Sequence, residues 1–222
     1  MDLFVRTLKG VRALLEEIDK KDYIPVVDEC IGKWENEKDC DAFRREFLPK
    51  GRFGDFRIDS RTAATPAQGF WAAQVFTALV ALSAQLADFR KKGISEDIEF
   101  IRRNFGAANE IMVTGKCSEC GFRAATASDV DRYISKIVIA KRLVNGLEND
   151  NIEEEVKSVV NLTCPDIERE RRKALLRLDN SGITHREKYG RLTSCPECGS
   201  TKIVEGKLLR SLRENVFVAL DT

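Results

Sequence analysis

Apolar residues in the first hundred positions recur at three- and four-residue steps, the spacing that puts side chains on one face of an α-helix. Leu8, Val11, Leu14, Leu15 and Ile18 make the first such stripe. Tyr23, Ile24, Val27 and Ile31 make a second, with Gly32 placed to end it and Trp34 available to pack on the following turn. A third short helix is expected around Asp41 to Phe47, stopping at Pro49. The loop PKGRFGDF follows, where Gly51 and Gly54 permit backbone angles closed to other residues. After a long Ala-rich helix come Lys91, Lys92 and Gly93, and Ser95 is placed to cap a further helix carrying Ile98 and Ile101. Ile98 stands where a capping box would place Glu or Gln. The pattern is that of an antiparallel helical bundle reaching to about Phe105.

The Ala-rich helix raises the question of a membrane, because no charged residue occurs from Thr62 to Ala87. A span needs about twenty predominantly apolar residues. Here Gln68, Gln74, Thr77, Ser83 and Gln85 interrupt the run, while Trp71, Val75, Leu79, Leu82, Leu86 and Phe89 recur at helical steps. This reads as the central helix of a bundle, surrounded by protein on most sides, and no membrane partner is expected.

The pattern changes at Glu110. IMVTGKCSECGFRAAT reads as a strand, a cysteine turn and a second strand. Helical spacing then resumes from about Ser128 to Tyr189. A first helix carries Val130, Ile134, Ile137, Val138 and Leu143, with Asn145 and Gly146 able to stop it. An acidic one follows with Ile152, Val156, Val159 and Val160. A third begins at Pro165, runs through Leu175, Leu176 and Leu178, and breaks at Asn180-Ser181-Gly182. Extended structure returns with RLTSCPECGSTKIVEG, and ENVFVALDT adds a last strand. The expected division is 1-107 and 108-222, with a helical insertion at about 126-190.

Composition bounds what this chain does. Its 222 residues are 43% hydrophobic, enough for an ordinary core without disulfides. Lys+Arg 37 against Asp+Glu 36 leaves a formal net charge of +1, so any surface for a polyanion must be local. The N-terminal MDLFVRTLKGVRALLEEIDK mixes charges into its apolar positions and does not read as a signal peptide, which makes a cytoplasmic location the expectation. In that reducing compartment seven cysteines argue for metal rather than for disulfides. Cys30, Cys40 and Cys164 lie apart, without a common spacing.

The other four form two Cys-x-x-Cys pairs, Cys117 with Cys120 and Cys195 with Cys198. Such a pair places two thiolates on one tight turn, and two pairs complete the tetrahedral shell that zinc prefers. Gly121 and Gly199 follow the second cysteine of each pair and tolerate the turn there. CSECG and CPECG, flanked by strand-like residues over roughly 110-125 and 190-205, resemble the zinc-ribbon class of metal-binding domains. The resemblance implies a structural zinc held by Cys117, Cys120, Cys195 and Cys198. It implies no particular activity. Compact ribbons place their pairs about 15–20 residues apart. Here the wide gap requires the inserted helices to form a hairpin or small bundle whose ends meet, with zinc clamping the insertion to the rest. The fold class is accordingly mainly α, an N-terminal helical bundle followed by a zinc ribbon interrupted by a helical insertion. Unrelated reduced thiols, a redox pair and an iron–sulfur cluster are the alternatives to zinc.

No catalytic machinery stands out. His185 is a lone histidine in a polar stretch, without a serine or cysteine motif beside it. There is neither a phosphate-binding glycine loop nor a dinucleotide fingerprint. Glu153, Glu154 and Glu155 read as a solvated helix face, and Asp55 and Asp59 as turn residues. Gly51-Arg52-Phe53-Gly54 is similar to the glycine loop of one class of RNA-binding domains, but only over those four residues. A tight connection whose Phe53 and Phe56 dock on the bundle accounts for it better. Charge is more telling: Arg169, Arg171, Arg172, Lys173, Arg177, Arg186, Lys188 and Arg191 make the end of the insertion basic. Gathered on one face they can track a phosphate backbone. Paired internally, as Glu168 with Arg172 at i,i+4, they make a solvated helix instead.

The expected function is that of a zinc-stabilised, non-enzymatic protein binding a nucleic acid or a nucleic-acid-associated protein. The first alternative is a protein adaptor or inhibitor using an exposed aromatic such as Trp34 or Phe53. The second is an enzyme with a carboxylate site in the cleft between the two parts.

Overall fold

The computed structural model describes residues 2–47, 51–54, 56–58, 63–88, 99, 111–211 and 214–220. Pro49, Asp55, Asp59, Phe89, Lys91, Lys92, Gly93, Ser95, Ile98 and Ile101 fall outside the described residues, as does most of the helix expected there. The fold is mainly α with one five-stranded sheet. Its helices are α1 (Leu3–Glu17), α2 (Ile24–Glu37), α3 (Asp41–Phe47), α4 (Pro66–Asp88), α5 (Ala127–Asn149), α6 (Ile152–Val160) and α7 (Pro165–Asn180). The strands are β1 (Ile111–Cys117), β2 (Arg123–Thr126), β3 (Thr184–Arg186), β4 (Ile203–Arg210) and β5 (Phe217–Leu220). The chain divides into two compact units, Met1–Ala107 with Ile139–Cys164 and Ala108–Val138 with Pro165–Thr222. The middle of the stretch read as an insertion thus packs with the N-terminal helices.

In the first unit α1 lies against α2, α4 and α6. Its stripe of Leu8, Val11, Leu14, Leu15 and Ile18 is buried. So are Trp71, Val75, Leu79, Leu82 and Leu86 of α4 and Ile152, Val156, Val159 and Val160 of α6. α4 is long and apolar enough to cross a membrane by length and composition alone, with a mean hydropathy of 1.5. Its polar Ser83 is also buried and donates to Thr7 Oγ1 at 2.8 Å, which satisfies a hydroxyl that would otherwise cost free energy in a core. The start of α6 approaches α5 closely at Gly146, where a Cβ would stand 2.7 Å from the Ile152 Cα.

Two glycines expected to stop helices do not. α2 continues through Gly32 to Glu37, and α5 continues through Gly146 to Asn149. Glycine costs a helix interior about 1 kcal/mol, which packing overrides. Beyond Gly32, Trp34 meets Phe4 with ring centroids 4.5 Å apart. The buried stripe of α2 is therefore Val26, Val27, Cys30 and Trp34, rotated from the expected one. Trp34 and Phe53 are each only 5% exposed, so neither serves as the surface aromatic of the adaptor alternative. Phe53 and Phe56 do dock inward, Phe53 stacking on Phe47 at 4.1 Å. Glu155 is buried rather than solvated, accepting hydrogen bonds from Arg142 and Asn145.

The second unit is built on the sheet, in the order β3-β2-β1-β4-β5. All pairings are antiparallel except β2 with β3. The register puts Met112, Leu208 and Ala219 in one row, and Arg210 opposite Phe217. Met112, Leu208 and Phe217 are buried, and Phe217 meets Tyr133 of α5 edge-on at 5.5 Å. α5 starts directly at the end of β2 through a capping box: the Asp129 carboxylate accepts from the Thr126 N–H at 2.9 Å while Thr126 Oγ1 accepts from the Asp129 N–H at 3.3 Å.

Candidate metal centre

Each Cys-x-x-Cys pair forms a knuckle with the same hydrogen bonds. Gly121 N–H donates to Cys117 O at 3.0 Å, and Gly199 N–H to Cys195 O at 2.9 Å. Cys117 N–H donates to Phe122 O, and Cys195 N–H to Ser200 O, both at 2.8 Å. Gly121 and Gly199 have φ of 77° and 73°, left-handed angles that glycine adopts without a Cβ clash. The first knuckle connects β1 to β2 and the second leads into β4, which pairs with β1 along its whole length. The knuckles are also tied directly. Ser118 N–H and Oγ both donate to Lys202 O, and Lys202 Nζ sits 2.6 Å from Glu119 Oε1.

This pairing brings residues 75 and 81 positions apart into contact, with Cys120 Sγ 3.5 Å from Cys195 Sγ and Cys117 Sγ 3.6 Å from Cys198 Sγ. All four sulfurs lie within 4.8 Å of one another. A tetrahedral ion with metal–sulfur bonds of about 2.3 Å needs sulfurs about 3.8 Å apart, so the donor set fits a single metal ion. A disulfide, with sulfurs about 2.05 Å apart, is not present. Cys117 and Cys195 are buried, whereas Cys120 and Cys198 are exposed. The Cys120 backbone N–H above all pulls the Cys117 thiol down to about 7. At Cys120 the Phe122 N–H acts in the same direction, but Cys195, desolvation and the other two thiols outweigh it and push that thiol up to about 12. A bound cation is what would allow all four thiols to ionise together. Outside the cluster, burial pushes the Cys30 thiol up to about 12, the neutral state of a core residue.

The basic residues separate into two groups. On α7, Arg169 pairs with Asp166 and Glu170, Arg172 with Glu168 at 3.7 Å, and Lys173 with Glu170 at 2.9 Å. Arg171 reaches Asp131 at 2.8 Å and Glu168 at 3.6 Å. Arg177 is half-buried near Tyr133. The helix is therefore largely neutralised by its own acids, the i,i+4 pairing of Glu168 with Arg172 included. Arg186, Lys188 and Arg191 are exposed and make no ion pair among the described residues. They lie on the segment running from β3 to the second knuckle.

That segment also builds a cavity of about 210 Å³, between the start of α5, α7 and β3. Val130 and Leu175 supply apolar wall, and Arg171, His185, Glu187 and Tyr189 supply polar groups. Beneath them Asp131, 1% exposed, accepts from Arg171 Nη2 at 2.8 Å and from Tyr189 Oη at 2.7 Å. Gly190 N–H donates to Ser128 Oγ and Ala127 N–H to Lys188 O, fixing the Tyr189 backbone on the first turn of α5. Burial, reinforced by the hydrogen bond to Asp131, pushes the Tyr189 phenol up to about 12. Desolvation lowers the His185 pKa and so favours the neutral imidazole. The sequence reading placed His185 in a polar loop; it sits on β3, paired with Ala125 of β2. Asp131 escaped that reading because its partners are 40 and 58 positions away. No family model, no curated protein and no solved structure matches this chain.

Proposed function

We propose that this chain is a zinc-stabilised, non-enzymatic binding protein whose partner is a nucleic acid or a protein that accompanies one. The convergence of four cysteine sulfurs within 4.8 Å carries the reading. Cys117, Cys120, Cys195 and Cys198 would hold the ion, and four thiolates close its shell, leaving no position for a reacting water. An iron–sulfur cluster interposes several metal atoms between its thiolates and would hold them farther apart. Zinc bound here supplies a cross-link between the β1–β2 turn and the strand entering β4. The zinc-ribbon resemblance accounts for the same arrangement of knuckles and strands.

The nucleic-acid reading is supported by Arg186, Lys188 and Arg191, exposed cations without carboxylate partners among the described residues, on one short segment. It no longer draws on Arg169, Arg172 and Lys173, whose charge is matched within α7. Purified protein is expected to carry about one zinc per chain, lost on Cys117→Ser or Cys198→Ser. Two metals, or none with the thiols free, would overturn the metal assignment. For the partner, anisotropy of a labelled 12-nucleotide strand should show salt-dependent binding. The slope of log K against log salt should fall by about 2 when Arg186, Lys188 and Arg191 are changed to Glu. No binding at low salt refutes the nucleic-acid reading.

A further inference from the structure

We infer that the cavity formed by α5, α7 and β3 is a pocket for one unstacked base of a single-stranded nucleic acid, and this inference rests on the nucleic-acid reading above. At about 210 Å³ the cavity is smaller than the roughly 300 Å³ at which drug-sized ligand sites begin, so it suits one planar group and not a whole nucleotide. Its composition suits a base. Two rings, His185 and Tyr189, line it together with the apolar side chains of Val130 and Leu175. Flat rings of this kind are what single-strand binders offer to bases. Tyr189 is 39% exposed, yet its hydroxyl is anchored on buried Asp131, so the ring is held in place without being covered.

The polar groups argue against a phosphate inside. Arg171 is neutralised by Asp131 and Glu168, while Glu187 makes no hydrogen bond or ion pair among the described residues and repels an anion. A free carboxylate instead accepts from N–H groups on a base edge. Guanine presents two adjacent donors, N1–H and N2–H₂. Uracil and thymine present one N–H between two carbonyl oxygens, which a carboxylate repels. The phosphates belong outside, on Arg186, Lys188 and Arg191, which flank Glu187 and Tyr189 in sequence. Alternate residues of this segment would then divide the work, the cations holding the backbone and the intervening side chains receiving a base.

The test uses the full chain and labelled 12-mers: single-stranded DNA and RNA rich in guanine, matched strands rich in thymine or uracil, and a duplex. Guanine-rich single strands should bind about tenfold tighter than the duplex or the pyrimidine strands. Agreement between DNA and RNA locates recognition on the base, and a preference for one of them adds a sugar contact to it. Glu187→Gln, an exposed change that leaves the fold intact, should erase the guanine preference while keeping the salt slope. Tyr189→Ala should lose the single-strand advantage, and Tyr189→Phe, which keeps the ring, should retain it. Zinc content and circular dichroism confirm that each variant is folded. Equal affinity for single strand and duplex, with salt dependence intact, overturns the pocket and leaves the proposed function standing. Failure of every probe to bind at low salt removes the nucleic-acid reading and the pocket with it.

Discussion

Gly146→Ala sets two effects of known sign against each other. Alanine favours a helix interior over glycine by about 1 kcal/mol, and Gly146 lies inside α5. Its new Cβ would stand 2.7 Å from Ile152 Cα, 2.9 Å from Ile152 Cδ1 and 3.2 Å from Ile152 N. Two of these atoms are backbone and cannot rotate away. The strand of chain they belong to is also held, since Asn151 N–H donates to Gly146 O at 3.0 Å and Ile152 is 3% exposed. Relieving the contact means moving the first turn of α6 off α5. Overpacking of this kind costs about 1–3 kcal/mol, and straining the hydrogen bond about 1 more. The steric term therefore wins, with a net loss of about 1–3 kcal/mol. Gly32→Ala is the control, because Gly32 is also inside a helix, in the same compact unit, and its Cβ would meet nothing within 4 Å. That variant should gain about 1 kcal/mol. Followed by circular dichroism at 222 nm, melting should fall by about 3–10 °C for Gly146→Ala and rise by about 3 °C for Gly32→Ala. Urea midpoints should move in the same directions with unchanged slopes. Equal stabilisation by both substitutions would refute the close approach of α6 to α5.

Other outcomes follow from the second unit. With zinc bound as proposed, its chelation should destabilise the 108–138 and 165–222 unit by several kcal/mol and be accompanied by proton uptake on the protein, because the freed thiolates are protonated again. Replacing Cys30, Cys40 and Cys164 together by serine should leave the metal content unchanged, and a fall in it would enlarge the ligand set. The raised Tyr189 pKa means that the fold favours the neutral phenol. Its contribution is complete below about pH 10 and is lost as the pH rises towards 12. With the ring 39% exposed, solvent screening reduces that contribution to about 1 kcal/mol. Absorbance at 295 nm should show one late-titrating tyrosine move to lower pH in Asp131→Asn, and no movement would break the assigned hydrogen bond.

Local chemistry was readable in the sequence where short-range rules govern it. The stripe of α1, the knuckles with their following glycines, the start of α7 at Pro165 and its break at Gly182 all depend on neighbours a few residues away. Gly32 and Gly146 were misread because a glycine that ends a helix and one that admits a neighbouring backbone look alike until the neighbour is placed. Glu155 was misread for a similar reason, since its partner Arg142 belongs to another helix. The cysteine set was legible because spacing alone declares it. The Asp131, Arg171 and Tyr189 cluster was not, having no spacing rule to declare it. One available signal was passed over: Thr126 followed by Asp129 spells the capping box that ends β2 and begins α5.

The sheet terminates on β3, a strand of only three residues that carries Arg186. An open strand edge is a template on which another chain can add and begin to aggregate, and shortness with a charge are two of the ways proteins blunt it. A charge at Arg186 is placed where it would discourage such addition. Replacing it by glutamate keeps a charge on the edge, whereas an apolar replacement would unguard it. A loss of soluble protein in the apolar variant would then report strand addition and say nothing about a lost phosphate contact.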